Sequence, residues 1–230
     1  DMTKNSQWDL LAYKYAEIKN DVKQNFLFPA LKETIKNHCI DAKSLLDYGC
    51  GPGDLVVELV EDFDRVAVTD LSSAALEIIS KRFGDNIEVF TLAEINGSNE
   101  SFDVITMNLV LTAIPDNTEL LEIFSVIRHL ISPHGWLIIS TTHPCFTFRA
   151  LATVPYKISG GAYKVPIGNL EITEYHRPLE SIMNIISSTG FHIIHVKEIY
   201  DTPEYYMNRE EEPSRFSGIL PIFIVLVCKC

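Results

Sequence analysis

The sequence predicts an α/β protein built on a doubly wound, mostly parallel β-sheet with helices on both faces. Two observations carry this. Short β-rich apolar runs alternate with longer runs of helical periodicity up to Thr141, the pattern that successive βαβ units leave in a chain. The first such run, Ser44 to Tyr48, empties into Gly49-Cys50-Gly51-Pro52-Gly53, and a buried strand that turns through glycines into a helix is a ligand-binding junction rather than a linker.

In order, helices are expected at Trp8 to Asn20 and Val22 to His38, followed by a strand at Ser44 to Tyr48 and a helix near Asp54 to Glu61. A second strand, Arg65 to Thr69, leads to helix Ser73 to Phe83, with Ser72 and Ser73 as hydroxyl caps for its first amides. Strands at Ile87 to Thr91 and Phe102 to Asn108 come next, then a helix from Asn117 to Ile131. The turn Ser132-Pro133-His134-Gly135 opens a fifth strand, Gly135 to Thr141, because proline and glycine interrupt regular structure. From Thr142 to Arg177 the pattern breaks into proline, glycine, aromatics and short β-like pieces such as Ala162 to Ile167. A connection of that length in a compact domain is a lid or binding loop. Leu179 to Thr189 reads as a helix closed by Gly190, whose freedom at positive φ suits a helix end; Phe191 to Ile199 and Gly218 to Cys228 read as the last strands. The expectation is one domain over residues 1–230, with cap helices within 8–38 and a lid insertion at about 142–177.

At 230 residues and 47% hydrophobic, the chain can bury a full core. Its net charge of -12, with basic residues scattered, repels phosphate backbones and argues against a nucleic-acid partner. Cysteines at 39, 50, 145, 228 and 230 form neither a CxxC pair nor a His/Cys ligand spacing, so a disulfide framework and a metal site are not expected and a cytoplasmic setting is. The stretch Asp1 to Trp8 lacks the charged-then-apolar order of a signal peptide, and Gly218 to Cys228, the longest apolar run, is too short for a helix across a bilayer. No membrane partner is expected, and the chain reads as a monomer or homodimer.

The loop also separates possible ligands. Its third glycine comes one residue earlier than in the dinucleotide fingerprint, Asp54 stands where that fingerprint needs glycine, and no Gly-Lys-Ser or Gly-Lys-Thr follows to make a P-loop. Val66-Ala67-Val68-Thr69-Asp70 ends in an acid twenty-one positions after Gly49, the distance at which an acid reaches ribose hydroxyls; Asp70 can also cap the following helix. The form Asp47-x-Gly49-x-Gly51-x-Gly53 behind a hydrophobic strand resembles motif I of the class I S-adenosylmethionine-dependent methyltransferases. The resemblance covers almost the whole chain, because that family's sheet ends in an antiparallel hairpin of its sixth and seventh strands.

The resemblance implies a seven-stranded sheet, S-adenosylmethionine as cofactor with S-adenosylhomocysteine as product, and no metal. It implies that Asp47, Gly49, Cys50, Gly51 and Gly53 hold the amino acid end of the cofactor, Cys50 as contact rather than nucleophile, with Asp70 on the ribose. Leu71, Leu92 and Ala93 would border the adenine, although Leu92 stands where the family often has an acid and Glu94 is a substitute acceptor. Asn108 would lie under the transferred methyl, and Asn108-Leu109-Val110-Leu111 departs from the Asn-Pro-Pro-Tyr form of base methyltransferases. Tyr15 resembles the tyrosine that closes the N-terminal helix over the cofactor. His143 and His176, bordering the lid, are the candidate bases, and Tyr156, Tyr163 and Tyr175 the candidate contacts to a small-molecule acceptor. A protein or tRNA acceptor, or a non-catalytic cofactor-binding subunit, stands as the alternative.

Overall fold

A computed structural model of the chain describes residues 4–17, 22–146, 154–167, 170–207 and 216–230. Its strands are β1 (Ser44–Tyr48), β2 (Arg65–Asp70), β3 (Glu88–Thr91), β4 (Phe102–Asn108), β5 (Ile131–Thr142), β6 (Gly161–Ile167), β7 (Leu170–His176), β8 (His192–Ile199) and β9 (Phe223–Lys229). Seven of them form one sheet in the order β3-β2-β1-β4-β5-β9-β8, and β6 and β7 pair as a separate antiparallel hairpin. The pairs from β3 to β5 are parallel, whereas β9 runs antiparallel to both neighbours. The sheet is therefore the doubly wound, mostly parallel one expected, with seven strands and an antiparallel last strand.

Helices cover both faces: α1 (Lys4–Glu17), α2 (Phe28–His38), α3 (Asp54–Leu59), α4 (Ser73–Phe83), α5 (Leu92–Asn96), α6 (Asn117–Leu130), α7 (Leu179–Ser188) and α8 (Pro203–Tyr206). Strand residues alternate between two cores. Leu45, Val68, Val104, Ile138 and Val225 pack with Leu31, Ile35, Leu55 and Ile79 of α2, α3 and α4. Their chain neighbours Leu46, Ala67, Ile105, Leu137 and Leu226 pack with Leu120, Phe124 and Ile127 of α6 and Ile182 and Ile186 of α7. A strand buried on both faces reads as a nearly continuous apolar run, interrupted here by paired polar residues such as Asp47 and Thr106.

Several boundaries differ from expectation. The helix expected from Val22 opens as a π-helical turn, Lys23–Leu27, before α2. Pro29 in the first turn of α2 has no N–H to give the carbonyl four residues back and its ring crowds that carbonyl, so the ladder widens there. β5 begins at Ile131 rather than Gly135: Ile131 pairs with Phe102, and the register shifts between Phe102 and Val104, a bulge that absorbs Pro133 inside the strand. β9 begins at Phe223, because Gly218 has a φ of +71 and Ile219 and Leu220 donate back to Phe216 O in a turn. The predicted helix end at 18–20 lies outside the described residues. In the insertion, β7 is a full partner of β6, in the register Tyr163↔Glu174.

Asp103 fastens the lower end of the sheet. Its Oδ2 accepts from Lys43 N at 2.9 Å, Ser44 N at 3.0 Å and Ser44 Oγ at 3.0 Å, and its Oδ1 from Ser132 Oγ at 3.4 Å. Truncation to Asp103→Ala leaves these donors at the entries to β1 and β5 unpaired and should lower unfolding stability by about 1–3 kcal/mol, measured by urea denaturation.

Candidate functional site

The strand order reverses between β1 and β4, and in a doubly wound sheet the crevice beyond the carboxyl ends of such strands is where ligands bind. The glycine loop sits there, held from below by β2. Gly49 N and Cys50 N both donate to Thr69 O, at 2.8 and 3.1 Å, and Gly51 N donates to Asp70 Oδ2 at 2.8 Å. The other Asp70 oxygen accepts from Ser72 N at 2.8 Å. Gly49 is required by packing, since a Cβ there would lie 2.5 Å from Val110 Cγ2. Gly51 is different: its φ is +51 and a Cβ would meet nothing within 4 Å, so its open face is a cradle for a ligand approaching the backbone.

Over the loop lies α1. Asp9 Oδ1 accepts from Ser72 Oγ at 2.6 Å and Ala74 N at 3.3 Å, while Ser72 Oγ accepts from Ala75 N as the N-cap of α4. Below lies Asp47, buried, with Thr106 Oγ1 donating to its Oδ1 at 2.7 Å. Burial pushes the Asp47 carboxyl up to about 7; the Thr106 bond opposes this and Asp70 adds to it. Burial raises Asp70 too, against the amides of Ser72, Gly51 and Leu71. Two acids thus converge beneath one loop, and a cation placed there would favour their ionised forms.

A cleft of about 320 Å³ opens above. Of the sequence-predicted cofactor residues, Gly49, Cys50, Gly51, Asp70, Leu71, Leu92 and Asn108 line it. Asp47, Gly53 and Ala93 are absent from its described lining, and the side chain of Tyr15 lies outside the described residues. Burial lifts the Cys50 thiol well above its usual range, with Asp70 and Asp47 adding to the effect, consistent with contact rather than nucleophilic chemistry. Glu94 is committed elsewhere: it forms a capping box with Thr91. Leu109 takes a left-handed φ of +59 at the tip of β4, and Asn108 Oδ1 accepts from Ser140 Oγ at 2.6 Å. Strain at such a position is held in place by its surroundings.

Sequence reasoning missed Trp8, Lys23, Asn96, Thr112, Glu119 and Glu174, all of which line the cleft. Lys23 comes from the π-helical turn and Glu174 from β7. The alternation Ile172-Thr173-Glu174-Tyr175 could have placed Glu174 with Ile172 on one strand face.

His176 and the three tyrosines gather around the hairpin, whereas His143 lies against β8. His143 Nδ1 accepts from Cys145 N at 3.1 Å, so Nε2 carries the hydrogen and donates to Glu198 Oε1 at 3.1 Å. His176 Nε2 donates to Tyr156 O at 2.8 Å, leaving a buried Nδ1 without a partner among the described residues. His176, Tyr163 and Tyr175 border a small space of about 10 Å³ with Arg177 and Thr112, and only Thr112 of these also lines the large cleft. Tyr156 packs edge-on against His176. Arg177 is buried; it donates through Nε to Asn117 Oδ1, through Nη1 to Leu111 O at 2.8 Å and through Nη2 to Ile114 O at 2.5 Å. Among the described residues no cluster of potential metal ligands occurs, and no helix is long and apolar enough to cross a membrane.

A nucleotide-type crevice whose sheet is completed by an antiparallel strand slotted between β5 and β8 defines a class of protein, the class I S-adenosylmethionine-dependent methyltransferases. A family model described as a methyltransferase domain matches residues 17–196, and the chain belongs to that family. The ubiquinone biosynthesis O-methyltransferase of Pasteurella multocida (strain Pm70) is 27% identical over 178 residues, covering 66% of this chain and 70% of that protein. The N-demethylindolmycin N-methyltransferase of Streptomyces griseus is 22% identical over 179 residues, covering 71% and 75%. Among solved structures, an S-adenosylmethionine-dependent methyltransferase from Clostridium acetobutylicum ATCC 824 superposes with a TM-score of 0.64 at 17% identity, covering 94% of this chain and 93% of that one. The DhpI–SAM–HEP complex superposes at 0.70 and 14% identity, covering 98% and 95%.

The buried acid under the loop gives a pH signature. Unfolded, Asp47 titrates near 3.9; folded, near 7. Between those values the native state holds a proton that the unfolded chain has released, so stability falls as pH rises and levels off above about 7. Asp47→Asn should lack this component, and the stability of the variant relative to the parent should grow from pH 4 to pH 7 in a series of urea titrations.

Proposed function

We propose that the protein transfers a methyl group from S-adenosylmethionine to a small-molecule acceptor, as one catalytic domain with the β6–β7 hairpin as a lid. The observation that carries this is the loop itself: Gly51 presents an open backbone face while its amide is tied to Asp70 at 2.8 Å. In this reading Gly49, Cys50, Gly51 and Gly53 cradle the amino acid end, with Asp47 supplying negative potential from beneath. Asp70 keeps acceptor capacity for the ribose hydroxyls beside the amides of Gly51, Ser72 and Leu71, since a carboxylate offers about four lone-pair sites. Leu71, Leu92 and Ala93 border the adenine, and Asn108 stands under the reacting end. When bound, S-adenosylmethionine supplies an activated methyl on a cationic sulfur, so the protein's main task is to align the acceptor.

Two relatives whose names place them on small molecules, one at oxygen and one at nitrogen, support the acceptor class, as does the net charge of -12, which disfavours nucleic acid. A cytoplasmic monomer or homodimer completes the reading. His143, His176 and Tyr163 serve the acceptor side by fixing the walls, given the bonds their side chains already make, and Tyr156 and Tyr175 are the contacts to the acceptor.

Calorimetric titration of ligand-free protein with S-adenosylmethionine and S-adenosylhomocysteine, with NAD as control, tests the cofactor. Micromolar binding of the first two and none of NAD is expected; the reverse overturns the reading. Asp70→Ala should weaken S-adenosylhomocysteine binding by about 1–3 kcal/mol, and an unchanged affinity would remove its ribose role.

A further inference from the structure

The hairpin contributes an acid that the reaction described so far does not use. Glu174 lines the cleft together with Thr112 and Asn108. Its Oε2 accepts from Tyr163 Oη at 2.6 Å, and the two residues face each other across the β6–β7 register. Three residues on, Arg177 holds the carbonyls of Leu111 and Ile114, which moors this end of β7 to the segment following β4. Glu174 and Asp70 thus line the same cleft, Glu174 from the hairpin and Asp70 from the end of β2.

We infer that Glu174, oriented by the Tyr163 hydroxyl, faces the reacting methyl and accepts the proton of a hydroxyl or amine acceptor. The inference rests on the cofactor reading above. The acceptor's O–H or N–H bond breaks with its proton going to the Glu174 carboxylate and its electron pair to the new bond with carbon. The pair of the old carbon–sulfur bond stays on sulfur, and Glu174 returns the proton to water.

The surroundings suit that work. Tyr163 and Lys23 act on it directly, and Asp54 and Glu119 line the same cleft. Burial raises the Glu174 carboxyl, and Tyr163 and Lys23 oppose the rise, so the group is more basic than an exposed glutamate while a cation nearby favours its ionised form. Lys23 answers both Glu174 and Asp54, leaving the cleft richer in carboxylates than in cations, a field that selects neutral or cationic acceptors over anionic ones.

Sinefungin tests this without a known acceptor, because it carries a primary amine where S-adenosylmethionine carries its reactive methyl. Titration calorimetry should find Glu174→Gln binding sinefungin at least tenfold more weakly than the parent, with S-adenosylhomocysteine affinity changed less than twofold. Tyr163→Phe should move sinefungin in the same direction by a smaller factor, and it keeps the test available if Glu174→Gln does not fold. Equal affinities for sinefungin in parent and variants, or equal weakening of both ligands, overturns the assignment. Failure of the parent to bind S-adenosylhomocysteine would overturn the cofactor reading instead, and is seen separately in the same titrations.

Discussion

The hydrogen bond from Gly51 N to Asp70 Oδ2, 2.8 Å long, joins the two elements on which the cleft depends. The glycine loop after β1 is held to β2 by the amides of Gly49 and Cys50 on Thr69 O and packs at Gly49 against Val110, leaving Gly51 open. Asp70 gives it a floor, and through Ser72 N and the Ser72 hydroxyl the same corner receives α4 and, by way of Asp9, α1. One carboxylate thus fixes the loop, begins a helix and anchors the cap. Charged acceptors of amide hydrogen bonds are stronger than neutral ones, and burial raises the cost of leaving any member of the group unpaired. The corner is rigid before any ligand arrives, the form of preorganisation that saves ordering cost on binding.

The opposite wall is organised by a cation. Burial lowers the Arg177 guanidinium to about 10, with Asp116 and Glu119 partly offsetting it, so it remains charged at neutral pH. It spends its donors on main-chain carbonyls and an asparagine rather than on a carboxylate partner in direct contact. Breaking such an arrangement strands both a buried charge and the carbonyls it satisfies. The geometry makes the end of β7 and the segment from Leu111 to Ile114 one mechanical unit, and that unit carries Glu174 and Thr112 into the cleft.

What could be read from the chain follows from which physical signals are local. The interior strands β1, β2 and β4 are mostly apolar on both faces, and the glycine loop and Asp70 have fixed spacing, so the fold and the cofactor half of the cleft were legible. The start of β5 was not, because Pro133 and Gly135 signal a turn and only pairing of Ile131 with Phe102 overrides them. Gly218 to Ile222 read as strand from its apolar content, yet Gly218 at positive φ makes it a turn. Glu174 was hidden for a different reason: β7 lies in an insertion that read as irregular, and only the tertiary placement of the hairpin brings this acid to the cleft. His143 and His176 drew attention by residue type, while their partners Glu198 and the Tyr156 carbonyl come from elsewhere in the fold.

The strand order also sets a timetable for assembly. β9 follows every other described strand in the sequence but occupies an interior position, paired with β5 on one side and β8 on the other. As the chain leaves the ribosome, β1 to β5 can associate while β8 has no sheet to join, and its neighbour's place stays open with the apolar backs of α6 and α7 exposed to water. Non-local strand pairing of this kind is slow and vulnerable to aggregation. β8 therefore joins the sheet only through β9, and loss of Phe223 to Lys229 would detach β8 along with β9.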